Sequence, residues 1–171
     1  MSAKVISSPT AIAWRWWSLA ISVGTADQFI KLAVSTLIPY GQSIPLTGFF
    51  NLVHVWNTGA AFSFLADAGG WQRYFFIVLT LAVSIVLALM LCRPRPRAEA
   101  LGYSLILGGA LGNGFDRVVR GYVVDYLDFY WRSWHWPAFN LADSSITLGV
   151  AALLWAACFS AEEPNLRHHD L

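Results

Sequence analysis

The chain has 171 residues, 57% apolar and only 12% charged, with nine Trp and a formal net charge of +1, and its mean hydropathy is positive. That balance excludes an ordinary water-soluble domain and supplies no basic run to follow a nucleic-acid backbone; it fits a small multi-span membrane protein whose first partner is membrane lipid. Two cysteines, Cys92 and Cys158, lie near the ends of apolar runs, and with no third thiol and no histidine at metal spacing they are expected to be ordinary membrane-facing residues.

The first apolar run, about 13–37, carries Arg15, Asp27 and Lys31. It is long, charged at its far end and shows no small-x-small site followed by a soluble domain, so it is expected to be a retained span and not a cleaved signal. In the following segment, 38–70, Gly48–Trp56 is rich in aromatic and β-branched residues with partial alternation, which predicts a strand. It leads into Asn57-Thr-Gly-Ala-Ala-Phe62, where Gly59 points to a turn or a close backbone approach. A second span, about 74–92, is free of charge and stops at Arg93-Pro-Arg-Pro-Arg97, where proline denies a helix its donors. The third span covers about 99–118 and the fourth, after Pro137, about 139–160. Four helices of about twenty residues each suit a hydrocarbon core of about 30 Å. Between the last two, in segment 119–138, Tyr130, Trp131, Trp134 and Trp136 cluster with Arg132 and His135, a composition that suits a short element at the membrane interface. Residues 161–171 form a polar tail.

Arg93, Arg95 and Arg97 fill one short loop, and Lys4 and Arg167 lie on the two tails. The positive-inside rule makes that loop and both termini cytoplasmic, although Arg73, Arg120 and Arg132 reduce the bias. Asp125 and Asp143 then lie at the outer boundary, at the outer ends of the last two spans.

Ionisable groups in or beside spans are costly and mark function by default. Asn113, Asp116, Arg117 and Arg120 fall at i, i+3, i+4 and i+7, on one face of the third helix. Asp27 and Lys31, at i and i+4, are expected to pair structurally, and Asp116 to pair with Arg117 or Arg120. Asp125 and Asp143 have no basic residue within a turn, and Asn140 sits three residues before Asp143. Two facing carboxylates at a partly dry site share one proton, so one can activate water while the other protonates a leaving amine. Asp143, in the first turn of its helix, is expected to be the more readily ionised member. Spacing alone leaves a helix cap and a surface charge as an equal alternative, with Asp128 as a rival carboxylate. No Gly-x-Ser-x-Gly elbow and no His-Glu-x-x-His pair occurs, and His54 and His135 stand singly in aromatic surroundings.

The motifs Asp27-Gln-Phe-Ile-Lys31, Asn57-Thr-Gly-Ala-Ala-Phe62, Gly108-Gly-Ala-Leu-Gly-Asn-Gly-Phe-Asp-Arg117, Val124-Asp125-Tyr126 and Phe139-Asn-Leu-Ala-Asp-Ser144 resemble, in order and spacing, the motif set of the bacterial lipoprotein signal peptidases (signal peptidase II). The resemblance implies a four-helix inner-membrane aspartyl protease with a small extracytoplasmic β-cradle and a short interfacial periplasmic helix. It implies a dyad of Asp125 and Asp143, which leaves Asp128 aside. Asn57, Gly59, Asn113, Asp116, Arg117 and Asn140 would bind substrate or support the site, and Asp27 and Lys31 would support the fold. It further implies cleavage before a diacylglyceryl-modified cysteine in prolipoproteins, no metal or organic cofactor, and sensitivity to globomycin-type inhibitors. The enzyme is expected to act as a monomer. Gly114 departs from the motif, where a larger residue is common, and is expected to loosen that helix end. The other reading, a small proton-coupled carrier or lipid-binding membrane module, would use the same buried charges as a relay. A carrier, however, needs charge near the midplane, whereas these acids gather at one boundary.

Overall fold

Four apolar runs become four helices, and the aromatic segments between them become one sheet. The structure, a computed structural model, describes residues 9–59 and 69–159. The helices are α1 (Pro9–Leu37), α2 (Trp71–Leu91), α3 (Arg97–Val119) and α4 (Leu141–Phe159); the strands are β1 (Ser43–Pro45), β2 (Phe50–Asn57), β3 (Val123–Trp131) and β4 (Trp134–His135). α2 and α4 are long and apolar enough to cross a bilayer. Their side chains are distributed opposite to those of a soluble protein: Val78 on α2 and Trp155 on α4 are 65% and 63% exposed, as expected of a surface solvated by lipid. α1 and α3 carry charged residues, and their 29 and 23 residues are also long enough to span.

α3 is the central helix and packs on the other three. Its glycines allow this. A Cβ on Gly108 would stand 2.6 Å from the carbonyl oxygen of Ala20 on α1, and one on Gly109 would overlap the carbonyl of Ala142 on α4. Small-residue seams of this kind bring helix backbones together where lipid supplies no hydrophobic drive. Gly114 does not leave a loose end. A Cβ there would meet the Thr80 methyl group at 2.6 Å, so α2 fills the space. One apolar cluster, Ala20, Leu87, Leu91, Ala100 and Leu107, ties α1, α2 and α3 together; a second, Val34, Ile38, Val124 and Tyr126, fixes the C-terminal end of α1 to the sheet.

The sheet is antiparallel in the order β1-β2-β3-β4. It corrects the expectation for segments 38–70 and 119–138. The cradle is not confined to 38–70, because β3 and β4 supply half its strands, and no interfacial helix forms at 130–136. Those residues are the end of β3 and the β4 hairpin, with Tyr130 opposite His135 and Trp131 opposite Trp134. Arg132, at φ +58°, makes the turn. Bulky aromatic residues fit a pleated surface better than a one-turn helix, and cross-strand pairing decides the conformation. Asp125 accordingly lies on β3 opposite Val55, beyond the last turn of α3 and not at the end of a span. The fourth helix starts at Leu141 because Phe139 is still bridged to Leu127. The rest of the Asn57–Phe62 motif after Gly59, the remainder of segment 38–70 up to residue 68, and the 161–171 tail lie outside the described residues.

Candidate active site

The start of α4 is built from three elements at once. The first N–H groups of any helix lack intrahelical partners, and here each is met by a side chain. The Leu141 N–H donates to the Tyr126 hydroxyl at 3.0 Å, the Ala142 N–H to Asp27 Oδ1 at 3.0 Å, and the Asp143 N–H to Asn140 Oδ1 at 2.9 Å. Asp143 Oδ2 returns to accept the Asn140 N–H at 3.2 Å. This is a reciprocal capping box, with Asn140 as the cap and the Asp143 carboxylate held at the positive end of the helix.

Asp125, 2% exposed, faces this start from β3. Its Oδ1 accepts from Asn140 Nδ2 at 2.6 Å and its Oδ2 from Asn57 Nδ2 at 2.9 Å. The Asn57 amide is oriented by the Gly59 N–H, which donates to Asn57 Oδ1 at 3.0 Å, a side-chain turn of the kind Asn favours. Asn113 Nδ2 donates to Asp143 Oδ1 at 2.8 Å, while Asn113 Oδ1 accepts from Lys31 Nζ at 2.8 Å and from Asn140 Nδ2 at 3.2 Å. An ammonium can only donate, so Lys31 fixes which end of the Asn113 amide faces the carboxylate. The two aspartates are thus linked through two asparagines. Burial, and next the neighbouring Asp143 charge, push the Asp125 carboxyl up to about 7.

Beneath them lies a buried ionic cluster. Lys31 Nζ is 2.8 Å from Asp27 and 2.9 Å from Asp116, all three side chains being fully buried. Asp116 also pairs with Arg120 and accepts the Val124 N–H at 3.3 Å, which attaches β3 to α3. Two carboxylates and two cations balance, the usual condition for charges kept from water. Arg117 points elsewhere. Its Nη2 donates to the Gly59 carbonyl at 2.7 Å, and its guanidinium lies 4.7 Å from the Phe76 ring centre. Among the described residues its buried Nε has no hydrogen-bond partner.

The structure therefore brings Asp125, Asp143, Asn57, Gly59, Asn113, Asp116, Arg117, Asn140, Asp27 and Lys31 into one connected site. Asp128 stands apart, held by Asn51 Nδ2 at 2.8 Å and by His135 Nδ1 at 2.9 Å. His54 is engaged through both ring nitrogens, with the Ile38 carbonyl and with Trp56 Nε1.

Three participants are not singled out by the sequence. Gln28 donates to the Gly112 carbonyl at 3.0 Å and to Asp116 at 3.1 Å, joining α1 to α3. Arg73 donates to the carbonyls of Arg117 and Val118 at 2.7 and 2.8 Å, and so caps the end of α3 with a cation. Tyr126 reaches an N–H fifteen residues on. A polar residue beside Asp27 in an apolar run is the available signal for Gln28; the other two depend on contacts that no local pattern encodes. Burial pushes the Tyr126 hydroxyl up to about 12, so it stays neutral and its oxygen accepts. Tyr126→Phe leaves the Leu141 N–H unmet in a part-buried place, and a thermal melt in detergent is expected to show a loss of about 1 kcal/mol. An unchanged melt would mean that the bond contributes nothing.

The sequence model of the family described as Signal peptidase (SPase) II matches residues 19–159. The lipoprotein signal peptidase of Serratia marcescens is 56% identical over 133 residues, 78% of each chain. That of Tolumonas auensis is 48% identical over 153 residues, 88% of this chain and 93% of its own. Among solved structures, a bacterial membrane enzyme determined by the in meso method at 2.3 Å resolution superposes with a TM-score of 0.78 at 30% identity, covering 92% of this chain and 94% of its own. Motifs, fold and relatives agree: the chain belongs to the signal peptidase II family, aspartic-type peptidases that process lipoproteins.

Proposed function

We propose that this chain is a bacterial inner-membrane endopeptidase that removes the signal peptide from diacylglyceryl-modified prolipoproteins, cutting before the lipidated cysteine with Asp125 and Asp143 as its catalytic pair. The observation that carries the reading is the link between the two carboxylates through Asn140 and Asn113, at the junction of sheet and helix. Four spanning helices with both termini cytoplasmic put this junction near the outer leaflet, where a substrate anchored by its lipid arrives laterally from the bilayer. Asp143 is the ionised member, at a helix start that favours negative charge. It takes a proton from water as the hydroxyl attacks the scissile carbonyl. The C–N bond breaks as Asp125 passes its proton to the departing amine, and the proton gained by Asp143 then returns to Asp125. Arg117 and Asn57 are placed to meet the substrate backbone, globomycin-type lipopeptides would occupy the same cleft, and the enzyme works as a monomer.

In detergent, the chain is expected to shorten a diacylglyceryl-modified prolipoprotein and to leave its unlipidated form intact, read as a gel shift. If the lipidated precursor stays whole where an established enzyme of this type cleaves it, the reading fails and the carrier moves to the front.

The pH profile provides a second check. Asp125 must hold its proton, and its carboxyl lies at about 7, raised by burial and by Asp143 against the opposing pull of Asn57, Asn140 and Lys31. As pH rises through that value the acid is lost, so kcat/KM is expected to fall about tenfold per unit above it. A flat profile from about pH 6 to pH 9 would remove Asp125 from the role of acid.

A further inference from the structure

Between α1 and α3 runs a groove of about 520 Å³ that the catalytic reading does not use. Gly24 and Gly112 contribute no side chains to it, and Phe29, Leu32 and Phe115, each more than half exposed, line it. From Ile21 to Leu32 the α1 edge rises about 16 Å. That is close to the depth of one leaflet, about half of a 30 Å hydrocarbon core. At the outer end stands Arg120, the residue that follows the last turn of α3. Its Nη1 serves both Asp116 and Gln28 Oε1, the latter at 3.0 Å, and its side chain remains 22% exposed. A guanidinium never deprotonates and carries five donors. Asp116 and Gln28 draw on Nη1 alone, which leaves the other donors to an anionic oxygen that shares the cation with Asp116.

We propose that this groove holds one membrane phospholipid, its phosphate on the Arg120 guanidinium and one acyl chain laid between α1 and α3. The inference rests on the membrane-spanning reading above. Charge and shape favour this occupant. The fork geometry of arginine matches a phosphate, the groove walls are mainly apolar with Thr25 and Gln28 as their polar side chains besides Arg120, and an extended peptide there would leave most of its backbone groups unmet.

The test uses the full chain, purified in detergent and stripped of lipid, then titrated with phosphatidylglycerol and followed by native mass spectrometry. Wild type is expected to retain a single lipid saturably. Arg120→Gln, which removes the cation, and Ile21→Trp, which fills the groove, should each weaken retention by about tenfold or more, the scale of one charge-assisted hydrogen bond. Ile21 is an apolar residue, 57% exposed, so Ile21→Trp carries the test if Arg120→Gln fails to fold. Equal binding by all three proteins would mean annular lipid only, and a dimer that excludes lipid would assign the groove to a second copy; either result overturns the proposal. A chain that stays soluble without detergent would overturn the membrane reading itself, whereas lipid failure in a chain that fractionates with membranes would overturn this inference alone.

Discussion

Asp125→Asn and Asp143→Asn are each expected to slow cleavage of lipidated prolipoprotein by about 10³-fold or more, and the double variant to be little slower than either single one. The non-additivity follows from the geometry. One carboxylate without the other can neither share a proton nor complete the transfer to the leaving amine, so the second deletion has little left to remove. Each replacement keeps the shape of the side chain. An asparagine in place of Asp125 puts an amide nitrogen opposite one of two donors, Asn57 Nδ2 or Asn140 Nδ2, and that mismatch lowers stability without unfolding the site. A melt run beside the cleavage assay separates the two effects. Asp128→Asn is the control. It disturbs the bonds to Asn51 and His135 on the sheet but should leave cleavage within a few-fold of wild type. If Asp128→Asn were the inactive variant and the other two active, the reaction would be right and the site wrong.

How much of this is legible in the sequence varies with the range of the interaction that decides each feature. The apolar runs mark the helices because their cause is composition, and the errors are at their ends. α4 begins at Leu141 and not at 139 because Phe139 pairs with Leu127 across the chain. Helix periodicity groups Asn113, Asp116, Arg117 and Arg120, yet Arg117 turns to Gly59 while Asp116 turns to Lys31 and Arg120. A shared face does not fix a shared partner. Asn140 and Asp143 form a local pattern, cap and third helical residue, and that pattern can be read directly. β3 is harder. Its first four residues are all buried, so the alternation that announces a half-exposed strand is missing, and the tryptophan-rich end suits any short interfacial element, which the family resemblance makes a helix. Tyr126 and Arg73 are silent because their partners lie on other elements.

Lys31→Met is expected to cost about 3–5 kcal/mol, the usual penalty for leaving a buried charge without its partner. Lys31 has no exposed surface and stands between Asp27 and Asp116. Removing its ammonium leaves two buried carboxylates facing one remaining cation, Arg120. The same change removes the shorter of the two bonds that orient the Asn113 amide and leaves only Asn140 Nδ2 at 3.2 Å, so cleavage should drop even in protein that folds. The charge count supplies the decisive comparison. Lys31→Met combined with Asp27→Asn has one carboxylate and one cation again, and the introduced asparagine keeps an oxygen for the Ala142 N–H, which Asp27 accepts in the wild type. The double variant should therefore melt above Lys31→Met alone, a coupling that a double-mutant cycle in detergent measures directly. Additive losses would mean that Asp27 and Lys31 contribute separately, Asp27 as a helix cap and Lys31 as the holder of Asn113. Recovery of the melt without recovery of cleavage would place the role of Lys31 in turnover on Asn113, since charge balance would then be restored while the amide still lacked its bond from Lys31.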